Sequence, residues 1–409
     1  MGEILLINVS GQDKLGVTNA ITQVLSQYNA RVLDIGQAVI HDTLALGVLV
    51  ELRISAQEKQ TLMNAISATA ESLAINIGFQ TVSQDDYVHW VDQQGKPRHI
   101  VTLLSRHIDA TMIAELTRIT STQGLNIDSI NRLSGRVGLS ELMTGDTQQS
   151  TACIEFSVRG IPKDLSALRR DFMDLSARLN IDIAFQRDTV YRRNRRLVCF
   201  DMDSTLIEAE VIDELAKAAG VGHQVAEITE AAMRGELDFK QSFARRMALL
   251  KGLDESVLAG IASQLKITEG AEKLISSLKK LGYKTAILSG GFQYFGRYLQ
   301  KKLGIDYVYA NELDIVDGKV TGEVKGTVVD GQRKAELLAM LAQQEGIALE
   351  QVIAVGDGAN DLPMLSVAGL GVAFRAKPLV KASAEHAISN LGLDAILYLL
   401  GFRERDKLN

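Results

Sequence analysis

Leu197-Val198-Cys199-Phe200-Asp201-Met202-Asp203-Ser204-Thr205 is a short apolar run that ends on two carboxylates at i and i+2. Such a run predicts a strand buried on both faces of a parallel sheet. Asp201 and Asp203 then emerge at its carboxyl end, where open α/β sheets bind ligands. A calcium loop also opens with D-x-D, but it needs Gly at its sixth position and Glu at its twelfth. Leu206 and Ile212 stand there instead.

On the C-terminal side, strands alternate with helices as a doubly wound α/β domain requires. Residues 284–288, 307–310, 352–355 and 369–373 are the further strands, and residues 208–266 form a mainly helical insertion. Residues 312–316 and 320–324 flank Asp317-Gly318, a strong hairpin signal. Two strand ends carry polar loops, Ser289-Gly290-Gly291 and Gly356-Asp357-Gly358-Ala359-Asn360-Asp361, and Lys334 opens a helix between them.

On the N-terminal side, strand, helix, strand, strand, helix, strand is read over residues 4–81 and again over 99–186, an internal duplication of a ferredoxin-like unit. The domains expected are 1–88, 89–187 and 188–409. The run Tyr191-Arg192-Arg193-Asn194-Arg195-Arg196 marks the last boundary and reads as a solvated linker.

Composition narrows the class. The chain has 409 residues, 46% hydrophobic and 23% charged, with a net charge of −6, which excludes disorder and provides no global attraction to nucleic acid. Cys153 and Cys199 lie in apolar runs and are too few for a disulfide framework or a cysteine zinc site. No apolar stretch is long enough for a membrane span and Glu3 stands where a signal peptide wants a base, so the cytoplasm is expected. The six histidines have no metal-ligand spacing.

Asp201, Asp203, Ser289, Lys334 and Asp357, in this order, resemble the four-part signature of the haloacid-dehalogenase-like phosphatases. The resemblance implies an α/β domain with a helical cap, at about 208–266, and a Mg²⁺ cofactor. It implies Asp201 as nucleophile, forming an aspartyl-phosphate, and Asp203 as proton donor and acceptor. Asp201, Asp357 and the Asp203 carbonyl would hold the metal, and Ser289, the Gly290 N–H and Lys334 would hold the transferring phosphoryl group. Asn360 and Asp361 would support Lys334, metal-bound water or phosphate. The charges fit this scheme: a carboxylate about 4 Å from a phosphate dianion is repelled by roughly 8 kcal/mol at an effective dielectric near 20, and a divalent cation touching both more than cancels it.

Asp201 through Glu210 resembles the opening of the phosphoserine phosphatase family, which implies that Glu210 binds a substrate ammonium. Residues 232–246 resemble that family's cap. Phe239, Phe243, Arg246 and Leu250 share one helical face, so Arg246 rather than Arg245 points inward to grip a carboxylate. Met233 and Phe239 line the pocket or belong to the core. The implied reaction is hydrolysis of O-phospho-L-serine, the last step of L-serine biosynthesis. Alternatives are a phosphotransferase that passes the phosphate to an alcohol such as homoserine, and an amino-acid sensor with a vestigial phosphatase domain.

Gly11-Gln12-Asp13-Lys14-Leu15-Gly16 resembles the ligand loop of the ACT family, with Gly11, Asp13 and Gly16 as the candidate effector site. The resemblance implies two α+β ACT domains, L-serine as effector and a homodimer. A tight strand-to-helix turn accounts for the same glycines. The second repeat has Ser105-Arg106-His107-Ile108-Asp109-Ala110 at this place, without glycine.

Overall fold

The structure, a computed structural model, describes residues 2–136, 150–234 and 236–404, with Met233 and Phe239 described by backbone alone. Two compact units divide between Lys96 and Pro97.

In the first unit, β1 (Glu3–Gln12), β2 (Arg31–Ile40), β3 (Thr43–Leu52) and β4 (Asn76–Val82) form an antiparallel sheet in the order β2-β3-β1-β4. Leu5, Ile7 and Val9 alternate with more exposed residues along β1, so one face of the sheet is apolar. That face meets Val17, Ile21 and Leu25 of one helix and Leu62, Ile66 and Ala70 of another, each set at i, i+4, i+8. A further helix, Gln84–Gln94, escapes the sequence reading because it buries no residue and so has no apolar period to detect.

The second unit opens with the same topology. β5 (Arg98–Ser105), β6 (Asn126–Arg132), β7 (Ala152–Arg159) and β8 (Asp182–Arg187) pair in the order β6-β7-β5-β8. Even the irregularity recurs, between Val32 and Asp34 on β2 and between Ile127 and Ser129 on β6.

A sheet of seven strands follows: β9 (Leu197–Phe200), β10 (Lys284–Phe292), β11 (Tyr307–Val316), β12 (Lys319–Lys325), β13 (Val352–Gly356), β14 (Leu370–Phe374) and β15 (His386–Ile388), ordered β12-β11-β10-β9-β13-β14-β15. Only the β11–β12 pair is antiparallel. At its turn, Asp317 and Gly318 have φ of 51° and 74°, the double positive φ of a type I′ hairpin. The two strands expected over 307–316 are one continuous strand, and β15, only three residues long, has no pattern of its own. Helices Val211–Ala218, Gly222–Met233, Phe239–Leu249 and Val257–Gln264 make up the insertion.

The basic run is not a solvated linker. Arg192 is fully buried and pairs with Glu155 at 2.5 Å, and buried Arg195 donates to the Glu350 carbonyl at 3.1 Å. Buried guanidinium groups need such partners. Leu104, Leu133, Cys153 and Ala184 join the same hydrophobic cluster as Phe200 and Phe374. Asp182 accepts the Ser389 and Asn390 N–H groups at 2.9 and 3.0 Å. These contacts join the second ferredoxin-like sheet to the seven-stranded one.

Candidate active site

The chain leaves β9 for the sheet edge on one side, β10 and β11, and later returns to the other side as β13. The crevice at such a reversal is the ligand site of open α/β sheets. Three neighbouring strand ends meet there: β9 presents Asp201, β10 presents Ser289 and β13 presents Asp357. The Asp201 N–H donates to the Val355 carbonyl at 2.8 Å, which ties the first loop to the third.

The Lys334 ammonium is completely buried. It lies 2.8 Å from Asp201 Oδ1 and 2.6 Å from Asp361 Oδ1. Asp361 also accepts the Gly358 N–H at 2.9 Å, and a Cβ at Gly356 would stand 2.4 Å from its carboxyl carbon, so only glycine fits there. Asp201, Asp357 and Asp361 each offer a carboxylate oxygen, all within 4.8 Å of one another. The Asp203 carboxylate is not in this cluster. Its Oδ1 accepts the Val211 N–H at 3.3 Å, and its Oδ2 lies where a Cβ at Gly291 would come within 2.5 Å.

Charge counting explains the electrostatics. Burial, then the neighbouring Asp361 charge, pushes Asp201 up to about 7, against the pull of Lys334. Burial and the Asp201 and Asp361 charges push Asp357 up to about 8. Burial opposes the Lys334 charge, but Asp201 and Asp361 outweigh it and hold the ammonium above its ordinary range. Three carboxylates around one ammonium leave a surplus negative charge that a divalent cation would neutralise, and all-oxygen donors suit a hard cation. Asp203 is raised well above the ordinary carboxylate range, first by burial and then by the Glu210 and Asp201 charges. The same loop therefore carries a nucleophile candidate paired with a cation and an acid candidate whose burial favours the neutral carboxyl.

Around this centre, Ser289 is fully buried and its Oγ accepts the Gly291 N–H at 2.9 Å. Asn311, at the end of the parallel part of β11, donates to the Gly290 carbonyl at 2.7 Å and accepts the Val329 N–H at 2.9 Å. It pins the loop to the segment leading into the Lys334 helix. The sequence reading missed Asn311, although a polar residue at the end of a strand beside β10 is a usable signal. Thr205, 3.5 Å from Asp357 through its hydroxyl, was legible only as part of the motif. Asn360 stands at the start of the Lys334 helix, where a Cβ at Gly331 would meet its carbonyl at 2.6 Å.

From the cap side, Glu210 Oε1 accepts the Ser204 hydroxyl at 2.7 Å, and burial raises its carboxyl although that bond opposes the shift. Arg246 is half-buried and Arg245 exposed. Burial lowers Arg246, while the charges of Asp213, Glu210 and Asp203 oppose the shift. Its buried Nε has no hydrogen-bond partner among the described residues. The side chains of Met233 and Phe239 lie outside the described residues. A cavity of about 890 Å³ between helix Phe239–Leu249, β12 and the start of helix Gly331–Gln344 is lined by none of these carboxylates and is separate from the site.

In the first unit, Gly16 caps helix Val17–Gln27 with φ 89° and Leu15 beside it is wholly exposed. Gly11 pairs with Leu44 one residue before the β1–β3 ladder ends at Gln12, and the Asp13 N–H donates to the Asp42 carbonyl at 2.6 Å. Among the described residues, no helix is long and apolar enough to cross a membrane.

Residues 195–369 match the haloacid dehalogenase-like hydrolase family and residues 3–80 match the ACT domain. Over 98% of its length the chain is 39% identical to a phosphoserine phosphatase of Streptomyces coelicolor, covering 93% of that protein. It is 38% identical to phosphoserine phosphatase SerB2 of Mycobacterium tuberculosis over 97% of its length and 93% of that protein. Among solved structures, a haloacid dehalogenase family hydrolase from Salmonella enterica aligns with 74% of this chain and 98% of its own, with a TM-score of 0.62 and 30% identity.

Proposed function

This chain belongs to the phosphoserine phosphatase family of haloacid dehalogenase-like hydrolases and is a phosphatase, and we propose that it hydrolyses O-phospho-L-serine to L-serine and phosphate with Mg²⁺ as cofactor and Asp201 as nucleophile. Asp201, Asp357 and Asp361 are the side chains that would hold the ion, with the Asp203 carbonyl beside them. When bound, the ion supplies the charge neutralisation that lets a carboxylate approach a phosphate dianion.

Asp201 Oδ1 is taken up by the Met202 N–H at 2.7 Å and by Lys334, which leaves Oδ2 as the attacking oxygen. As the bond from Oδ2 to phosphorus forms and the ester P–O bond breaks, Asp203 gives its proton to the departing serine alkoxide. Asp203 then takes a proton from the water that attacks the aspartyl-phosphate, and phosphate leaves with Asp201 restored. Two of the three Lys334 donors are held by Asp201 and Asp361, so one remains for the phosphoryl oxygens. Ser289 accepts from Gly291 and keeps its own hydroxyl proton to donate, and the Gly290 N–H adds a further donor.

The observation that supports the substrate assignment is Arg246, whose buried Nε has no hydrogen-bond partner among the described residues and whose guanidinium lies in the field of Asp213, Glu210 and Asp203. A carboxylate on Arg246 and an ammonium on Glu210 describe an amino-acid phosphomonoester. The reading extends to the last step of L-serine biosynthesis in the cytoplasm, to a homodimer held by the ferredoxin-like repeats over 1–88 and 89–187, and to L-serine as effector at Gly11, Asp13 and Gly16. The test is phosphate release from L-phosphoserine with Mg²⁺ and with EDTA, beside an aryl phosphate. Metal-dependent preference for phosphoserine is expected, with at least a ~10³-fold loss in Asp201→Asn. Full turnover in that variant sinks the mechanism.

A further inference from the structure

The cap leaves the sheet and returns to it through two extended segments that pair with each other. Ile207 and Ile267 form an antiparallel bridge. The Glu208 N–H donates to the Lys266 carbonyl at 2.9 Å and the Thr268 N–H to the Leu206 carbonyl at 3.0 Å. These two segments are the connections between the cap helices and the sheet, and so the hinge on which the cap would turn. Glu210 follows Glu208 by two positions, and Asp203 bridges to Ile207, so the hinge carries groups of both the cap and the catalytic loop.

A charged side chain of the second ferredoxin-like repeat reaches this hinge. Arg106 lies between β5 and helix Ala110–Thr122, where the first repeat has its glycine loop. Its Nη2 donates to both oxygens of Glu269, at 2.9 and 3.0 Å. Glu269 also accepts Arg375 Nη2 at 2.7 Å, and Arg375 Nη1 is 3.7 Å from Glu208, itself paired with Lys266. Arg106, Glu269, Arg375, Glu208 and Lys266 thus form an unbroken chain of opposite charges from the repeat to both hinge segments.

Arg375 is unusual in its backbone. It adopts φ 45°, held by its N–H bond to the Ile388 carbonyl at 2.7 Å, while its Nη2 also donates to the Leu391 carbonyl at 3.3 Å. A non-glycine residue stays in that region only where its surroundings over-determine it.

We propose that Arg106 is a positioning residue for the phosphatase reaction: by holding Glu269 it fixes Arg375 and Glu208, and so the hinge setting at which Glu210 and Arg246 face the nucleophile. The inference rests on the proposed binding of the substrate ammonium and carboxylate by the cap. Its test is kcat and KM for L-phosphoserine and for an aryl phosphate, measured on the full chain and on Arg106→Ala, Arg106→Lys and Glu269→Gln, with thermal melting beside them.

A partly exposed ion pair predicts a modest effect, a rise of about fivefold in KM for phosphoserine in Arg106→Ala and Glu269→Gln, partly recovered in Arg106→Lys. The aryl phosphate has neither ammonium nor carboxylate, so its kcat/KM should stay within about 1.5-fold. Unchanged KM for phosphoserine in both charge-removing variants overturns the inference, as does a proportional loss on both substrates, which is what less folded protein would produce. A parent enzyme indifferent to phosphoserine overturns the substrate reading itself. Silent variants of a phosphoserine-selective enzyme overturn the hinge role alone.

Discussion

The two ferredoxin-like repeats share element order, sheet order and the irregularity in their second strand, yet their sheets end differently. β1 alternates between buried and more exposed residues, and Val32, Ile35, Val39 and Ile40 of β2 remain exposed. β5 is buried on both faces from Ile100 to Ser105, and Leu104, Leu133, Cys153 and Ala184 belong to the core of the catalytic unit. The loops diverge in parallel: Leu15 is wholly exposed, whereas Arg106 is paired with Glu269. An antiparallel sheet needs only one covered face to fold, so a duplicated copy can turn its other face into part of a larger core.

The strongest way to break this comparison is by deletion. Removing residues 1–96 should leave a soluble, active phosphatase. Removing 1–187 should uncover the apolar partners of Leu104, Leu133, Cys153 and Ala184 and strip Ser389 and Asn390 of their acceptor. That loss exceeds about 5 kcal/mol from side-chain burial and hydrogen bonds together. Size-exclusion chromatography and phosphate release on both truncations check it, and equal behaviour would erase the distinction.

Acid tests the seam next, through one buried histidine. His386 is buried on β15, whose neighbour across the seam is β8 of the second repeat. Burial pushes it down to about 4; Glu385 opposes the shift, and Arg195 and Arg169 add to it. Because the folded value lies below the ordinary 6.5, the unfolded chain binds the proton first. The contribution of His386 to stability is therefore full above pH 6.5, falls as pH drops toward 4, and levels off below that, with about 3 kcal/mol at stake. Burial lowers His99 in the same direction, whereas His41 and His89 of the first unit are exposed. Thermal melts from pH 7 to 4 should show His386→Gln losing less stability than the unsubstituted chain, a difference that isolates His386 from Asp201 and Asp357, whose raised carboxyls act in the opposite direction in both proteins.

The smallest effect sharpens the contrast between the loops. Leu15→Ala removes an apolar side chain that buries nothing, so melting of the first unit should move by less than about 0.5 kcal/mol and phosphoserine turnover should not change. A larger shift would mean that the exposed loop has a partner in solution.

Much of this was legible in local sequence. β2, β9 and helix Leu165–Leu179 have the bounds that hydropathy predicts, because each contrasts sharply with its turns. The catalytic motifs are equally local, each a polar loop directly after an apolar strand. What escaped depends on residues far apart in the chain. Arg192 and Arg195 look like solvent-facing charge until Glu155 and the Glu350 carbonyl meet them. Asn311 is an ordinary strand-end residue until it meets the Gly290 carbonyl and the Val329 N–H. Asp361 reads as a supporting acid until Lys334 and the Asp357 loop bring it into the carboxylate cluster.

By itself, the sequence determined the doubly wound sheet, the duplicated repeat and the chemical types at the strand ends, because strand period, turn residues and motif spacing act within a few residues. Only the tertiary structure decided that the second repeat shares a core with the catalytic unit, that Asp201, Asp357 and Asp361 converge around Lys334, and that Arg106 reaches the cap hinge. Those outcomes depend on which outward faces and charges meet across long separations, and hydropathy patterns specify that a face is apolar without naming what covers it.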